Sequence, residues 1–238
     1  MTPQPFTALD GALLIDKPAG PTSHDIVDAV RRRFGIRKAG HAGTLDPNAT
    51  GLLILLLGRA TRLSEKLMGD DKLYSGQIKF GESTDSYDAD GEILASLPVP
   101  PLTLADLNAV ADTFLGDQLQ TPPMVSAVKK DGVPLYKLAR KGLVVERAPR
   151  LVHIYSFRFS AYAEPFADFR IACTKGTYVR SIAHEVGGKL GCGAHLATLR
   201  REAAGRHEVS AATPFDEVLK LAPAELEKRI IPFLKLAS

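Results

Sequence analysis

The chain has 238 residues, 45% hydrophobic and 24% charged, an ordinary balance for a globular protein able to bury a substantial core. No apolar run reaches the roughly 18–20 residues of a membrane span, and no basic segment precedes the short apolar stretch near the N-terminus. The two cysteines, Cys173 and Cys192, lack metal-ligand spacing, so the composition sets aside membrane, secreted and Cys-ligated metal proteins and leaves a cytoplasmic protein with reduced, packed thiols.

The first predicted element is a strand over "GALLIDK", stopped by a Pro-Ala-Gly-Pro turn. Ser23 then reads as the N-cap of a helix over "HDIVDAVRRRFG", with Ile26, Val30 and Phe34 on one face and Gly35 as the stop. "GLLILLLG" shows no alternation, as expected of a strand covered on both sides. "KLYSGQIKFGEST" does alternate, placing Tyr74, Gly76, Ile78 and Phe80 together. Thr103 and Asp106 have capping-box spacing ahead of "LADLNAVADTFLG". Long strands follow at "RLVHIYSFRFSAYA" and "FADFRIACTKG", joined by a hairpin-like Glu-Pro. A helix follows at "SIAHEVGGKLG", and "PAELEKRIIPFLKL" reads as a helix with a short tail. This irregular alternation with antiparallel connections predicts an α+β fold, a mixed, largely antiparallel sheet flanked by helices.

The net charge of +3 conceals a strong asymmetry. Gly81 to Gln120 holds eight acids and no Lys or Arg, whereas Met124 to His153 holds seven bases against Asp131 and Glu146. A further basic run, "RRRFGIRKAGH" at 31–41, contains no acid. Such separation suggests a polyanionic partner on one face, although a solvated surface accounts for charge alone equally well. The stretch 124–150 reads as a basic insertion projecting from the sheet.

"HAGTLDPNATG" contains a single carboxylate, Asp46, in a Gly-rich turn before the apolar strand. Asp-Pro-Asn is ordinary turn chemistry. Paired-carboxylate hydrolysis lacks a second nearby acid, and His41 with Asp46 makes no metal pattern. A covalent carboxylate nucleophile stays open, provided a cation within about 4–6 Å keeps it ionised. "KGTYVRS" offers one: Tyr178 and Arg180, two apart in extended geometry, would share a face. "GAHLATLRR" reads as a helix end or a nucleic-acid contact. Taken singly, Arg180 fits a surface ion pair, and Tyr74 and Tyr178 fit the core.

In combination these motifs are more specific. "DKPAGPTSHD", "GHAGTLDPNATGLL", the Tyr74 strand with "GESTDSYDADGEI", "PPMVSAVKKDGVPLYKLARKG", "KGTYVRSIAHEVG" and "GAHLATLRR" occur in that order from about Gly11 to Ala212. The chain resembles the bacterial tRNA pseudouridine-55 synthases of the TruB family. The resemblance implies a pseudouridine synthase fold acting on a flipped-out uridine of the tRNA T loop, with no cofactor and no metal. It implies Asp46 as nucleophile and Arg180 as its ionic partner. Tyr74 would stack on the base and assist proton movement at C5, Tyr178 and Leu199 would line the uridine pocket, and His41 would enter the T loop. Attack at C6, attack at C1′ and a glycal route stay open.

The basic insertion matches the family's RNA-binding thumb, with Lys129, Lys130, Lys137, Arg140, Lys141 and Arg147 placed to meet phosphates. Lys17 and Ser23 lie in a matching motif and take a structural role. The chain departs from many family members in having only about 26 residues after the "ATPFDEV" region, too few for an independent domain. The expectation is a single catalytic domain over 1–238, working as a monomer on the tRNA T-arm without a guide RNA. A tRNA-binding or folding chaperone with little catalysis is the alternative.

Overall fold

The structure, a computed structural model, describes residues 9–124, 129–130, 133–134, 143 and 145–237. They fall into two compact units, one drawn from Met1–Tyr74 and Arg200–Ser238 and the other from Ser75–Leu199. The first unit begins with β1 (Gly11–Lys17), α1 (Ser23–Arg33), β2 (Ala39–His41), β3 (Thr50–Leu57), α2 (Ser64–Met68) and the start of β4 (Lys72–Phe80). The second holds the rest of β4, β5 (Glu82–Thr84), β6 (Ile93–Ser96), α3 (Leu104–Asp112), β7 (Gly116–Gln120), β8 (Lys129–Lys130) and β9 (Val133–Pro134). It continues with β10 (Arg150–Ala163), β11 (Phe166–Cys173), α4 (Val179–Leu190) and the first part of β12 (Ala194–Ala204). The end of β12 belongs to the first unit, with β13 (His207–Glu208), β14 (Thr213–Pro214), α5 (Phe215–Val218), α6 (Pro223–Arg229), β15 (Ile231–Pro232) and α7 (Phe233–Ala237).

In the first unit the strand order is β14-β1-β3-β12. β1 runs antiparallel to β3 and parallel to β14, and β3 runs parallel to β12. Leu52 to Leu57 are all fully buried, which explains the missing alternation: both faces of β3 are covered. Each such side chain contributes about 2 kcal/mol relative to exposure. Gly51 is obligatory at the start of this strand, because its φ is +95° and a Cβ would lie 2.3 Å from the Arg201 carbonyl oxygen.

The second unit is antiparallel along β10–β11 and β10–β7 and has an aromatic core. Phe157 meets Phe169 edge-on at 6.0 Å and lies 5.1 Å from Phe159, its neighbour on the same strand face. Ile78 and Phe80 are buried as the alternation of β4 predicts. Gly76 admits the close approach of β12, since a Cβ there would sit 2.1 Å from the Thr198 carbonyl oxygen. The α+β class, with a mixed and largely antiparallel sheet, is the expected one.

Four local expectations differ from the structure. The N-cap of α1 is Thr22, which forms a capping box with Asp25; Ser23 lies inside the helix and turns its hydroxyl to Leu45. Arg180 stands in the first turn of α4, so extended geometry does not apply beyond Tyr178, whose φ/ψ is −96°/102°. "GAHLATLRR" is not a helix end but strand β12, in which Arg200 and Arg201 face opposite ways. The C-terminal stretch is not one helix: α6 stops at Arg229, because Pro232 removes a donor and biases the residue before it away from helix. Among the described residues, no helix is long and apolar enough to cross a membrane.

Candidate active site

Asp46 lies on the connection between β2 and β3, and that connection is held almost carbonyl by carbonyl. Lys17, fully buried at the end of β1, donates its ammonium to the carbonyls of Pro18 at 2.9 Å, Pro47 at 2.7 Å and Ala49 at 2.7 Å. Ser23 accepts from the Leu45 N–H at 2.9 Å and donates to its carbonyl at 3.1 Å. Arg201, 1% exposed, donates to Leu52 at 2.7 Å and Gly43 at 3.1 Å. The Gly20 N–H reaches the Pro47 carbonyl at 3.0 Å, and the Ala49 N–H closes the turn onto the Asp46 carbonyl at 3.1 Å. A loop satisfied by buried side chains in this way has little freedom to move. Leu45 is buried as its anchor, and Asp46, next along, is half-buried.

Burial pushes the Lys17 ammonium down to about 8, reinforced by the Arg201 charge and opposed by the Asp46 carboxylate. Lys17 therefore binds the loop backbone and places a positive charge within electrostatic range of Asp46. His41, on β2 opposite Leu55, is half-buried. Its Nδ1 is enclosed without a hydrogen-bond partner among the described residues. Burial, with the charges of Arg201 and His24, holds its pKa below the ordinary histidine value, so the ring is neutral near pH 7. Tyr74, on β4, is half-buried in the same unit.

Tyr178, Arg180 and Leu199 belong to the second unit. Tyr178 occupies the N-cap position of α4, and Gln120 at the end of β7 fixes it from both sides. The Tyr178 N–H donates to the Gln120 side-chain oxygen at 2.7 Å, and the Gln120 amide donates to the Tyr178 carbonyl at 3.1 Å. Arg180 is 4% exposed and donates to the Ser86 carbonyl at 3.2 Å and the Asp88 carboxylate at 3.1 Å. Between these partners Tyr87 adopts a positive φ of 66° and stacks on His184 at 4.0 Å. His184 is one turn beyond Arg180, so one helical face grips residues 86, 87 and 88. Leu199 is half-buried on β12.

Of the basic insertion, Lys137, Arg140, Lys141 and the side chains of Lys129 and Lys130 lie outside the described residues. Arg147 is half-buried and donates to the Pro122 carbonyl at 3.0 Å, so it ties down the base of the insertion. His195 is buried beside the Glu82 carbonyl, and both cysteines are buried thiols not joined in a disulfide. Sequence reasoning missed Asp88 and Gln120. Asp88 is one acid among several in "STDSYDADGE", and Gln120 carries no local motif. The buried Arg201 left a signal, because adjacent arginines in a strand must face opposite sides.

Residues 31–179 match the TruB family pseudouridylate synthase (N terminal domain). The chain is 55% identical over 234 residues to tRNA pseudouridine synthase B of Opitutus terrae, covering 98% of this chain and 97% of that protein. It is 45% identical over 217 residues to tRNA pseudouridine synthase B of Syntrophotalea carbinolica, covering 91% and 71%. Among solved structures, a chain of a Cbf5-Nop10-Gar1 complex superposes with a TM-score of 0.76 at 26% identity, covering 96% of this chain. A chain of an archaeal box H/ACA Nop10-Cbf5 complex gives 0.72 at 25%. This chain spans 62% and 61% of the length of those two solved chains. Fold and matches together define a pseudouridine synthase, an isomerase. Within that class the chain belongs to the TruB family.

Proposed function

We propose that the chain isomerises uridine to pseudouridine at position 55 in the T loop of tRNA, with Asp46 as the nucleophile. The observation that carries this reading is the setting of Asp46: a half-buried carboxylate on a loop immobilised by Lys17, Ser23 and Arg201, with a cationic field beside it. The tRNA in the names of the two relatives supports the substrate. In the net reaction the N1–C1′ bond breaks and a C5–C1′ bond forms, C5 loses a proton and N1 gains one. Nothing is oxidised or reduced, so a carboxylate nucleophile and a closed pocket suffice.

Arg180 orients and keeps ionised the nucleophile, and the Asp88 pair with the Gln120 clamp on Tyr178 preorganises that helix end. Tyr74 stacks on the extruded base and assists proton movement at C5, while Tyr178 and Leu199 line the uridine pocket. Extrusion is required because the reacting atoms are inaccessible in a stacked base. His41 fills the vacated space, a role suited to a neutral imidazole that sheds little hydration on entering a base stack. Lys129, Lys130, Lys137, Arg140, Lys141 and Arg147 belong to the insertion that seats the arm on its phosphates. The protein works in the cytoplasm as a monomer, without a guide RNA.

The test is single-nucleotide mapping of pseudouridine in an unmodified tRNA transcript incubated with the chain alone. Product at the T-loop uridine alone is expected. Tight binding without product would favour an RNA-folding protein instead.

A further inference from the structure

Outside the Asp46 loop, the first unit carries a cleft of about 410 Å³ between α1 and β2, bordered by His24, Asp28, Arg31, Arg37, Lys38 and His41. We propose that this cleft is a phosphate-binding subsite for the RNA strand that His41 enters. The inference rests on the reading of the chain as a tRNA-modifying enzyme.

Three observations point to an anion. First, the charge is uncompensated. Asp28 is engaged by Arg31 at 3.2 Å and by His24 at 3.4 Å. Arg37 and Lys38 are exposed and have no side-chain hydrogen bond or ion pair among the described residues. With Arg31 they put three cations on one cleft against the single carboxylate of Asp28, a local positive field suited to an anion.

Second, the segment that carries them is fixed. Gly35 turns the chain with a φ of +63°, the Ile36 N–H donates to the Arg31 carbonyl at 3.0 Å, and the Ile36 side chain is buried. The Lys38 carbonyl accepts from Gly58 at 2.8 Å. The two cations thus stand on a backbone already ordered, which lowers the entropic cost of engaging a ligand.

Third, the cleft ends at His41, whose enclosed Nδ1 has no partner among the described residues. A phosphodiester in the cleft would therefore lie beside the ring that enters the T loop, continuing the same RNA strand past it.

The experiment measures the affinity of the full chain for an unmodified tRNA transcript across a salt series, comparing native protein with Arg37→Ala, Lys38→Ala and the double variant. Lys228→Ala, which removes an exposed charge on α6, is the control. Both cleft side chains are exposed, so the variants should keep the native melting temperature. The log–log salt slope should fall by about one for each cleft cation removed and keep its native value in the control. Phosphate-ethylation interference then locates the contact: ethylation at one phosphate near the T loop should weaken native binding several-fold and have no effect on the double variant.

A native slope, or the same interference pattern in native and double variant, overturns the subsite even if the native chain makes pseudouridine. The expected slope and interference without any pseudouridine would keep the subsite and remove the proposed activity.

Discussion

The two units hold their candidate site residues in different ways. In the first, a leucine-rich core surrounds two buried cations, Lys17 and Arg201, whose donors capture the carbonyls of the Asp46 loop. In the second, a phenylalanine core supports a helix end held by an amide, an ion pair and an aromatic stack: Gln120 on Tyr178, Asp88 on Arg180 and Tyr87 on His184. A carboxylate loop gains from cations, because they bind its backbone and favour its charge together. An arginine gains from an acid and from neutral packing, which orient it without repelling it. The sign of the residue to be positioned selects the chemistry of its support.

The largest expected effect lies at Asp88, in the second unit. Arg180 and Asp88 have side-chain exposures of 5% and 18%, so Asp88→Ala removes a carboxylate from a buried guanidinium, at a cost of about 3 kcal/mol. Urea unfolding measures it, and a cost below about 1 kcal/mol would mean that the pair contributes nothing.

Lys17→Met comes next. It strands the Ala49 carbonyl in a buried site and loosens two partly buried ones, at about 1–3 kcal/mol. The sign with pH sharpens the point. The ammonium titrates near 8 when folded and near 10.5 when unfolded, so from pH 8 to pH 10.5 the unfolded chain binds the extra proton. Native stability should therefore rise relative to Lys17→Met across that window; an unchanged difference would place the ammonium in solvent, and a fall would mean a folded pKa raised rather than lowered.

The smallest effect belongs to His184. Burial lowers its folded pKa below 6.5, so the unfolded chain takes up a proton first as pH drops. Native protein should lose stability relative to His184→Gln between pH 7 and pH 5, by tenths of a kcal/mol for a ring that is half-buried. Urea midpoints at the two pH values check this, and equal shifts would mean the ring protonates freely in place.

What was legible in the sequence follows the range of the interactions. The strand "GLLILLLG" shows in its composition because both its faces are buried, and the Thr103–Asp106 box because its partners are three residues apart. The N-cap of α1 was misread by one residue, since Thr22 and Ser23 are both good caps and only the tertiary bond to Leu45 separates them. Asp46, Tyr178 and Arg180 stand out as candidates through the motifs that hold them. Their supports do not: Gln120 lies 58 residues from Tyr178, Ser86 lies 94 from Arg180, and Arg201 lies 149 from Leu52. Nothing local marks such a residue as a support, because its partner exists only once the chain has folded.

The proposed mechanism turns on attack by Asp46 on the T-loop uridine. The most direct measurement is single-turnover pseudouridine formation on an unmodified tRNA transcript, native against Asp46→Asn, with RNA affinity and melting temperature measured in parallel. Native-like melting and binding with no detectable pseudouridine are expected for Asp46→Asn. Pseudouridine formed by that variant at a rate near the native one would contradict that mechanism.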